Sequence, residues 1–384
     1  MNTLTGIVCT VFVCLGAALA VSLNSSTVAQ SQFAGQWIIE FNSFKSVPGR
    51  VQLSLQYETE SGGHSNHSHM IAREQLQGLS EAQAMSSGAT VQFQIRRDAG
   101  VFNCEGWFRE GKGSGHFVFV GNQSYVSELR RQGYETPTGD QLFRLGLSDV
   151  SFALLEELRA QGYERSSIDQ LVRVGNHGVT LDYVRGIGAL GYRVGQVEKL
   201  VRMRDHGVTP DFIRELQALG YRELSAEQLV RARDHGVTPD FVREIRDLGY
   251  SNLSLENFVR MRDHGVTPDF IRELQALGYR ELSADQLVRA RDHGVTPDFA
   301  REIRDLGYTN LSLENFVRMR DHGVTPEFVK GIRQAGFDNI SAEELVRCRD
   351  HGVTPEYIQK LRSSGIQNLT IEQIIRLRDH GIDR

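Results

Sequence analysis

At 384 residues and 40% hydrophobic content, the chain has room for two or three domains and is too apolar for wholesale disorder. Its net charge of −5, with both signs interspersed, argues against a nucleic-acid partner. Four cysteines, two of them within the first fourteen residues, imply no disulfide framework.

In chain order, the first feature is an uncharged apolar run from Leu4 to Leu23. Ala18-Leu19-Ala20 and Thr27-Val28-Ala29 both place small residues at signal-peptidase spacing, although no basic residue precedes Lys45. Residues 1–29 are therefore expected to be a signal peptide or an N-terminal anchor. The first alternative makes the protein periplasmic or secreted; the second gives it membrane association through residues 4–23, a run long enough to span a bilayer. Cys14 follows Val13 rather than a small residue, which disfavours lipidation.

Residues 30–121 change to strand patterning. Trp37–Phe41, Val51–Leu55, Val91–Ile95, Val101–Phe108 and His116–Val120 are short β-type runs, and Gly111–Gly115 reads as a Gly-rich hairpin connection. Five or six strands predict a small antiparallel sheet or partly closed barrel. The polar stretch Glu58–Gly88 reads as a loop with one short helix near Ala72–Leu79. Within it His64, His67 and His69 are candidate Zn or Cu ligands, set against the plainer reading of a mobile polar loop. Gly35-Gln36-Trp37, a G-x-W near the first strand, also raises a lipocalin-like, ligand-holding reading.

From about Asn122 a 29-residue block recurs nine times, so residues 122–384 are expected to form an α-solenoid. In the unit Leu224–Gly249, Ser225 is an N-cap with Gln228 completing a capping box, and Leu224 and Leu229 sit at hydrophobic-staple spacing. His235-Gly236 closes the first helix, Gly236 taking the left-handed position. Thr238 then caps a second helix that begins at Pro239 and ends at Gly249. The same caps recur as His206, Gly207, Thr209 and Pro210, and again at His264 and Gly265. Helices of about ten residues are marginal alone, so each hairpin must bury its apolar stripe (Phe241, Val242, Ile245, Leu248) against its neighbours. Arg231, Arg233, Asp234, Arg243, Glu244 and Arg246 face outward, with Glu227 and Arg231 spaced for an i,i+4 ion pair. These charges solvate the surface, and as ladders they could dock a partner. Cys348 stands where other repeats hold Met203 or Ala232, so a buried thiol is expected.

Residues 201–258 and 259–316 differ only at Glu227/Asp285, Val242/Ala300 and Ser251/Thr309. So close a tandem copy fits a spacer or binding surface better than a catalyst. The last repeat ends without a following Thr-Pro helix, and an uncovered hairpin there is expected to invite self-association or a partner.

The recurring histidines do not suit a shared metal. Stacked helices lie ~8–10 Å apart, whereas metal ligands sit ~2 Å from the ion. Each His is expected instead to cap a helix C-terminus beside its preceding Asp (Asp205, Asp234, Asp263). Gly186-Ile187-Gly188-Ala189-Leu190-Gly191 matches G-x-G-x-x-G, but its register places it inside a repeat helix with no strand before it, where it reads as a soft joint. The sequence has no H-E-x-x-H, G-x-S-x-G or Walker loop. A non-enzymatic protein without cofactor is expected.

The run Arg204–Phe212, followed by the helix end Leu219-Gly220-Tyr221, resembles repeats in exported bacterial proteins. In particular it is similar to the extracytoplasmic tails of integral-membrane metallopeptidases of the β-lactam-sensor type. Gly49–Leu55 and Gly113–Phe117 resemble the segment that precedes those repeats. The zinc-bearing peptidase portion is absent, so the resemblance implies a free-standing sensor or docking half and no peptidase activity. Two roles are expected from these readings. One is an exported scaffold mediating protein–protein interaction in the bacterial envelope, with a protein or peptide bound along the solenoid. The other is an envelope sensor or regulatory accessory whose β domain binds a small ligand or metal.

Overall fold

The computed structural model describes residues 33–41, 48–59 and 62–382. The apolar leader, with Cys9 and Cys14, lies outside the described residues. No helix among the described residues is long and apolar enough to cross a membrane. Among the described residues the chain is α+β: an antiparallel seven-stranded sheet is followed by an all-α solenoid of nine repeats. It divides into two compact units. Among the described residues, one unit spans positions 33–96, 100–123 and 137–143, and the other 97–99, 124–136 and 144–382.

The strands are β1 (Phe33–Glu40), β2 (Arg50–Glu58), β3 (His64–Ala72), β4 (Leu76–Gln77), β5 (Ala89–Arg97), β6 (Gly100–Arg109) and β7 (Lys112–Gly121), with a short helix α1 (Glu81–Ala84) before β5. Their order across the sheet is β3-β2-β1-β7-β6-β5-β4. The two outermost strands, β3 and β4, are thus neighbours in sequence, joined only by the turn Arg73–Gln75. In a flat sheet of seven strands the edges would lie roughly 29 Å apart. The four peptide steps from Ala72 to Leu76 reach at most about 14 Å. The sheet therefore curls until its edges approach at that end.

Alternation sends Trp37, Ile39, Leu53, Leu55, Phe93, Phe102, Phe108 and Phe117 to the inner face, where all are buried. Trp37 stacks on Phe108 at 5.4 Å and meets Phe93 edge-on at 5.0 Å, while its Nε1–H donates to the Glu105 carbonyl at 3.1 Å. Phe143 completes this core by stacking on Phe33 at 4.7 Å. A core filled with rings leaves no room for the ligand cavity that the G-x-W reading would need. The β6–β7 turn is tighter than the glycine run suggests. Only Glu110 (φ 50°) and Gly111 (φ 82°) form it, as the two positive-φ residues of a type I′ turn. Gly113 and Gly115 are strand residues instead. A Cβ on Gly115 would lie 2.0 Å from the Glu105 carbonyl oxygen, so β6 and β7 can approach only because that position is glycine.

The stretch expected to be a loop folds differently. Residues His64–Ala72 form β3, paired with β2 over its whole length, and the expected helix near Ala72–Leu79 is replaced by a one-turn 3₁₀ segment, β4 and α1. Backbone pairing with β2 overrides the low strand propensity of His, Ser and Asn here.

The solenoid has two helix series, every helix nine residues long. The first is α2 (Gln123–Arg131), α4 (Phe152–Ala160), α6 (Leu181–Ala189), α8 (Pro210–Ala218), α10 (Pro239–Asp247), α12 (Pro268–Ala276), α14 (Pro297–Asp305), α16 (Pro326–Gln334) and α18 (Pro355–Ser363). The second is α3 (Gly139–Leu147), α5 (Ile168–Asn176), α7 (Val197–Asp205), α9 (Ala226–Asp234), α11 (Leu255–Asp263), α13 (Ala284–Asp292), α15 (Leu313–Asp321), α17 (Ala342–Asp350) and α19 (Ile371–Asp379). From α4 and α5 onward, each helix packs on the next member of its own series. Stacking of like on like is what a stripe repeated every 29 residues demands.

Local signals place each boundary. Ser225 accepts from the Gln228 N–H while the Gln228 side chain accepts from the Ser225 N–H. At the other end of α9, Gly236 has φ 67°, and Val237 N–H donates to the Ala232 carbonyl at 2.8 Å, a Schellman closure whose apolar partner Val237 is fully buried. Thr238 caps α10 by accepting from Phe241 N–H, with Pro239 at the first position. Gly249 (φ 105°) closes α10 in the same way. Cys104 and Cys348 are both buried and free; desolvation pushes the Cys348 thiol up to about 12, as befits a core atom.

Gly186 of α6 is a close-approach position rather than part of a soft joint, and Gly331 of α16 repeats the arrangement. A Cβ on Gly186 would stand 2.7 Å from Pro210 Cγ, and one on Gly331 would stand 2.6 Å from Pro355 Cγ. The equivalent positions elsewhere hold Glu215, Glu244, Glu273 and Glu302. Restoring that majority residue with Gly186→Glu is expected to lower stability by about 1 kcal/mol. Overpacking against a rigid proline ring costs ~1–3 kcal/mol, more than the ~1 kcal/mol of helix propensity regained. Chemical denaturation followed by circular dichroism measures it, and a gain in stability would return the glycine to the role of a joint.

Candidate functional site

The three candidate ligands His64, His67 and His69 do not converge. His67 and His69 face inward opposite Leu55 and Leu53, with ring centroids 4.9 Å apart, whereas His64 points to the outer face opposite Glu58. Burial pushes the His67 pKa below its ordinary value. The pleat of β3 separates what spacing alone had grouped. Among the described residues no group of three or more His, Cys, Asp or Glu side chains is arranged to hold a metal ion.

In the solenoid, His206, His235 and His264 cap their helices, and Gly207 (φ 70°), Gly236 and Gly265 (φ 69°) follow in the left-handed conformation. Thr209 and Pro210 start α8 as Thr238 and Pro239 start α10. The imidazole partners differ from expectation. His206 Nδ1 lies 2.5 Å from Asp234 Oδ1 in the next repeat, rather than on the Asp205 beside it. The same step links His177 to Asp205, His235 to Asp263, His264 to Asp292, His293 to Asp321, His322 to Asp350 and His351 to Asp379, all at 2.5–2.8 Å. A translation of one repeat sets residue i beside i+29, so an Asp one residue before each His meets the His of the preceding repeat. That relation was present in the sequence as a separation of 28, one less than the period.

The outward charges are committed in the same manner. Arg231 makes a forked contact to Glu256 of the next repeat (3.2 and 2.8 Å) instead of pairing with Glu227. A carboxylate in the first turn of α11 offers both oxygens to the guanidinium, a better geometry than the flexible i,i+4 neighbour. Arg243 pairs with Glu215, and Arg272 with Glu244 at 2.8 Å. Arg233 lies over the Phe212 ring at 5.1 Å, a contact repeated by Arg262 on Phe241 and Arg291 on Phe270. Arg246 donates to the Leu219 carbonyl at 2.5 Å. Each such exposed pair contributes little by itself, because water and salt screen it.

Other charges are not committed. The long loops between hairpins form recurrent clefts of about 500 Å³. One lies between Leu190–Val194 and Arg222–Ser225, the other between Leu248–Leu253 and Arg280–Ala284. Arg222, Glu223, Arg280 and Glu281 are exposed there, and among the described residues their side chains make no hydrogen bond or ion pair. Sequence reading missed this loop edge because it treated all outward charges alike.

No protein-family model matches the chain, and no curated protein matches it in sequence.

Proposed function

We propose that the protein is an exported, non-enzymatic repeat scaffold of the bacterial envelope whose solenoid binds an extended protein or peptide along its long-loop edge. One observation carries this reading. Many helix-face charges pair between repeats, as Arg231 does with Glu256 and Arg243 with Glu215, whereas Arg222, Glu223, Arg280 and Glu281 are exposed and unpaired among the described residues and line clefts that recur along the edge. Unpaired charge beside a concave, partly apolar surface is suited to a partner with complementary groups at matching intervals. Near-identity of residues 201–258 and 259–316 makes the array a ruler, in which one contact is offered more than once and affinity accumulates by multivalency.

The test is cross-linking of the full chain in envelope fractions, compared with a variant carrying Arg222→Ala, Glu223→Ala, Arg280→Ala and Glu281→Ala. The partner cross-linked by the parent is expected to be lost from the variant while helicity is unchanged. Undiminished cross-linking to the same partner would contradict the loop-edge assignment.

A further inference from the structure

The outer face of the sheet carries a second, independent surface. We propose that it binds a neutral glycan strand. Two troughs of about 770 and 580 Å³ meet at His116 and Val118 on β7 and together cross the sheet. Strand register aligns their polar side chains into one row, Asn66–Gln56–Gln36–His116–Glu105, running over β3, β2, β1, β7 and β6. At the spacing of adjacent strands this row is roughly 19 Å long. All five side chains are exposed, and among the described residues none makes a side-chain hydrogen bond.

Two residues along the strands lies a parallel row, Ile38–Ser114–Trp107. Trp107 is 52% exposed and Ile38 38% exposed, the former in contrast to Trp37, which is fully buried. An indole left half in water beside a band of amides has no packing role in the sheet, whose core lies on the other face. Exposed aromatic surface of this kind marks an interaction site.

The chemistry selects the ligand class. Primary amides and an imidazole present donors and acceptors side by side, matching hydroxyls that both donate and accept. A flat aromatic ring matches the C–H face of a pyranose. The troughs carry only Glu58, Glu105 and Arg96 as charged side chains, so they lack the cationic field that a nucleic acid or acidic polymer would require. A protein partner would call for a contiguous apolar centre, whereas the polar row separates Ile38 and Trp107 on one side from Val118 and Val120 on the other.

The experiment is titration of the full chain with two hexasaccharides, one of β-1,4-linked N-acetylglucosamine and one of β-1,4-linked glucose, followed by calorimetry and by tryptophan emission. Binding of at least one is expected, with a change in emission from Trp107. Trp107→Ala should weaken it roughly tenfold, in keeping with the loss of one ring-stacking contact. Gln36→Ala, at an exposed position that leaves the fold intact, should weaken it as well. Failure of both sugars to bind would overturn the proposal. So would binding that neither substitution alters, which would place the sugar elsewhere. Neither result bears on the loop edge of the solenoid.

Discussion

Phe258→Ala is expected to lower the stability of the solenoid by about 3–5 kcal/mol, the usual range for removing a buried phenylalanine. Phe258 sits on α11 with no exposed surface, edge-on to both Tyr221 at 6.1 Å and Phe241 at 6.2 Å. Phe241 lies on the preceding helix, α10, and Tyr221 lies in the loop after α8, from which it donates its hydroxyl proton to the Leu253 carbonyl at 2.7 Å. The ring is thus a bolt between repeats rather than within one, and its loss opens a cavity at an interface. In a linear array such a defect weakens neighbours most. Hydrogen exchange should accelerate in the repeats flanking Phe258 more than in distant ones. The tandem copy supplies an internal control. Phe316 has the same surroundings, edge-on to Tyr279 at 5.9 Å and Phe299 at 6.0 Å. Phe316→Ala should match the single loss, and the double variant should be additive to within about 0.5 kcal/mol because the sites share no partner. Urea denaturation followed by far-ultraviolet circular dichroism measures all three. A loss below 1 kcal/mol for either single variant would show that the interface reseals without the ring.

Trp37→Ala should destabilise the β domain by a similar ~3–5 kcal/mol. The indole has no exposed surface, packs on Phe93 and Phe108, and satisfies the Glu105 carbonyl. Its space is shaped by glycine: a Cβ on Gly106 would lie 2.7 Å from Trp37 Cζ2. Nothing nearby can expand into the hole, because the facing positions, Gly106 and Gly115, carry no side chain. The near-ultraviolet dichroism of the sheet and its denaturation midpoint should both fall. A variant with unchanged midpoint would mean that Trp37 packs less tightly than its contacts indicate.

The solenoid was legible in the sequence because each boundary is written in local chemistry. Ser225, Gly236, Thr238, Pro239 and Gly249 all act where their side chains, or the absence of one, dictate. Strands β1, β2, β5, β6 and β7 were legible as short β-type runs, β2 and β5 with apolar alternation and β6 and β7 flanking a Gly-rich connection. β3 was not, since its inward positions Ser65, His67 and His69 lie at a sheet edge and need little hydrophobicity. β4, two residues long, gives periodicity no purchase. Gly186 of α6 was misjudged for another reason: propensity describes a helix alone, whereas this position is decided by Pro210 of the next helix in its series. Of the candidate sites, the caps were visible. The His–Asp steps, the uncommitted loop edge and the outer face of the sheet required register between distant segments, which sequence encodes only once the stacking is known.

The account rests on hairpins that hold their shape only against neighbours, and far-ultraviolet circular dichroism of graded fragments tests this most directly. A peptide of residues 224–252, one repeat in length, should be largely unstructured, because nine-residue helices are below the length that sustains itself in water. Helicity per residue should rise stepwise in fragments of two, four and six repeats toward that of the full array. A single-repeat peptide already as helical, residue for residue, as the whole solenoid would contradict it.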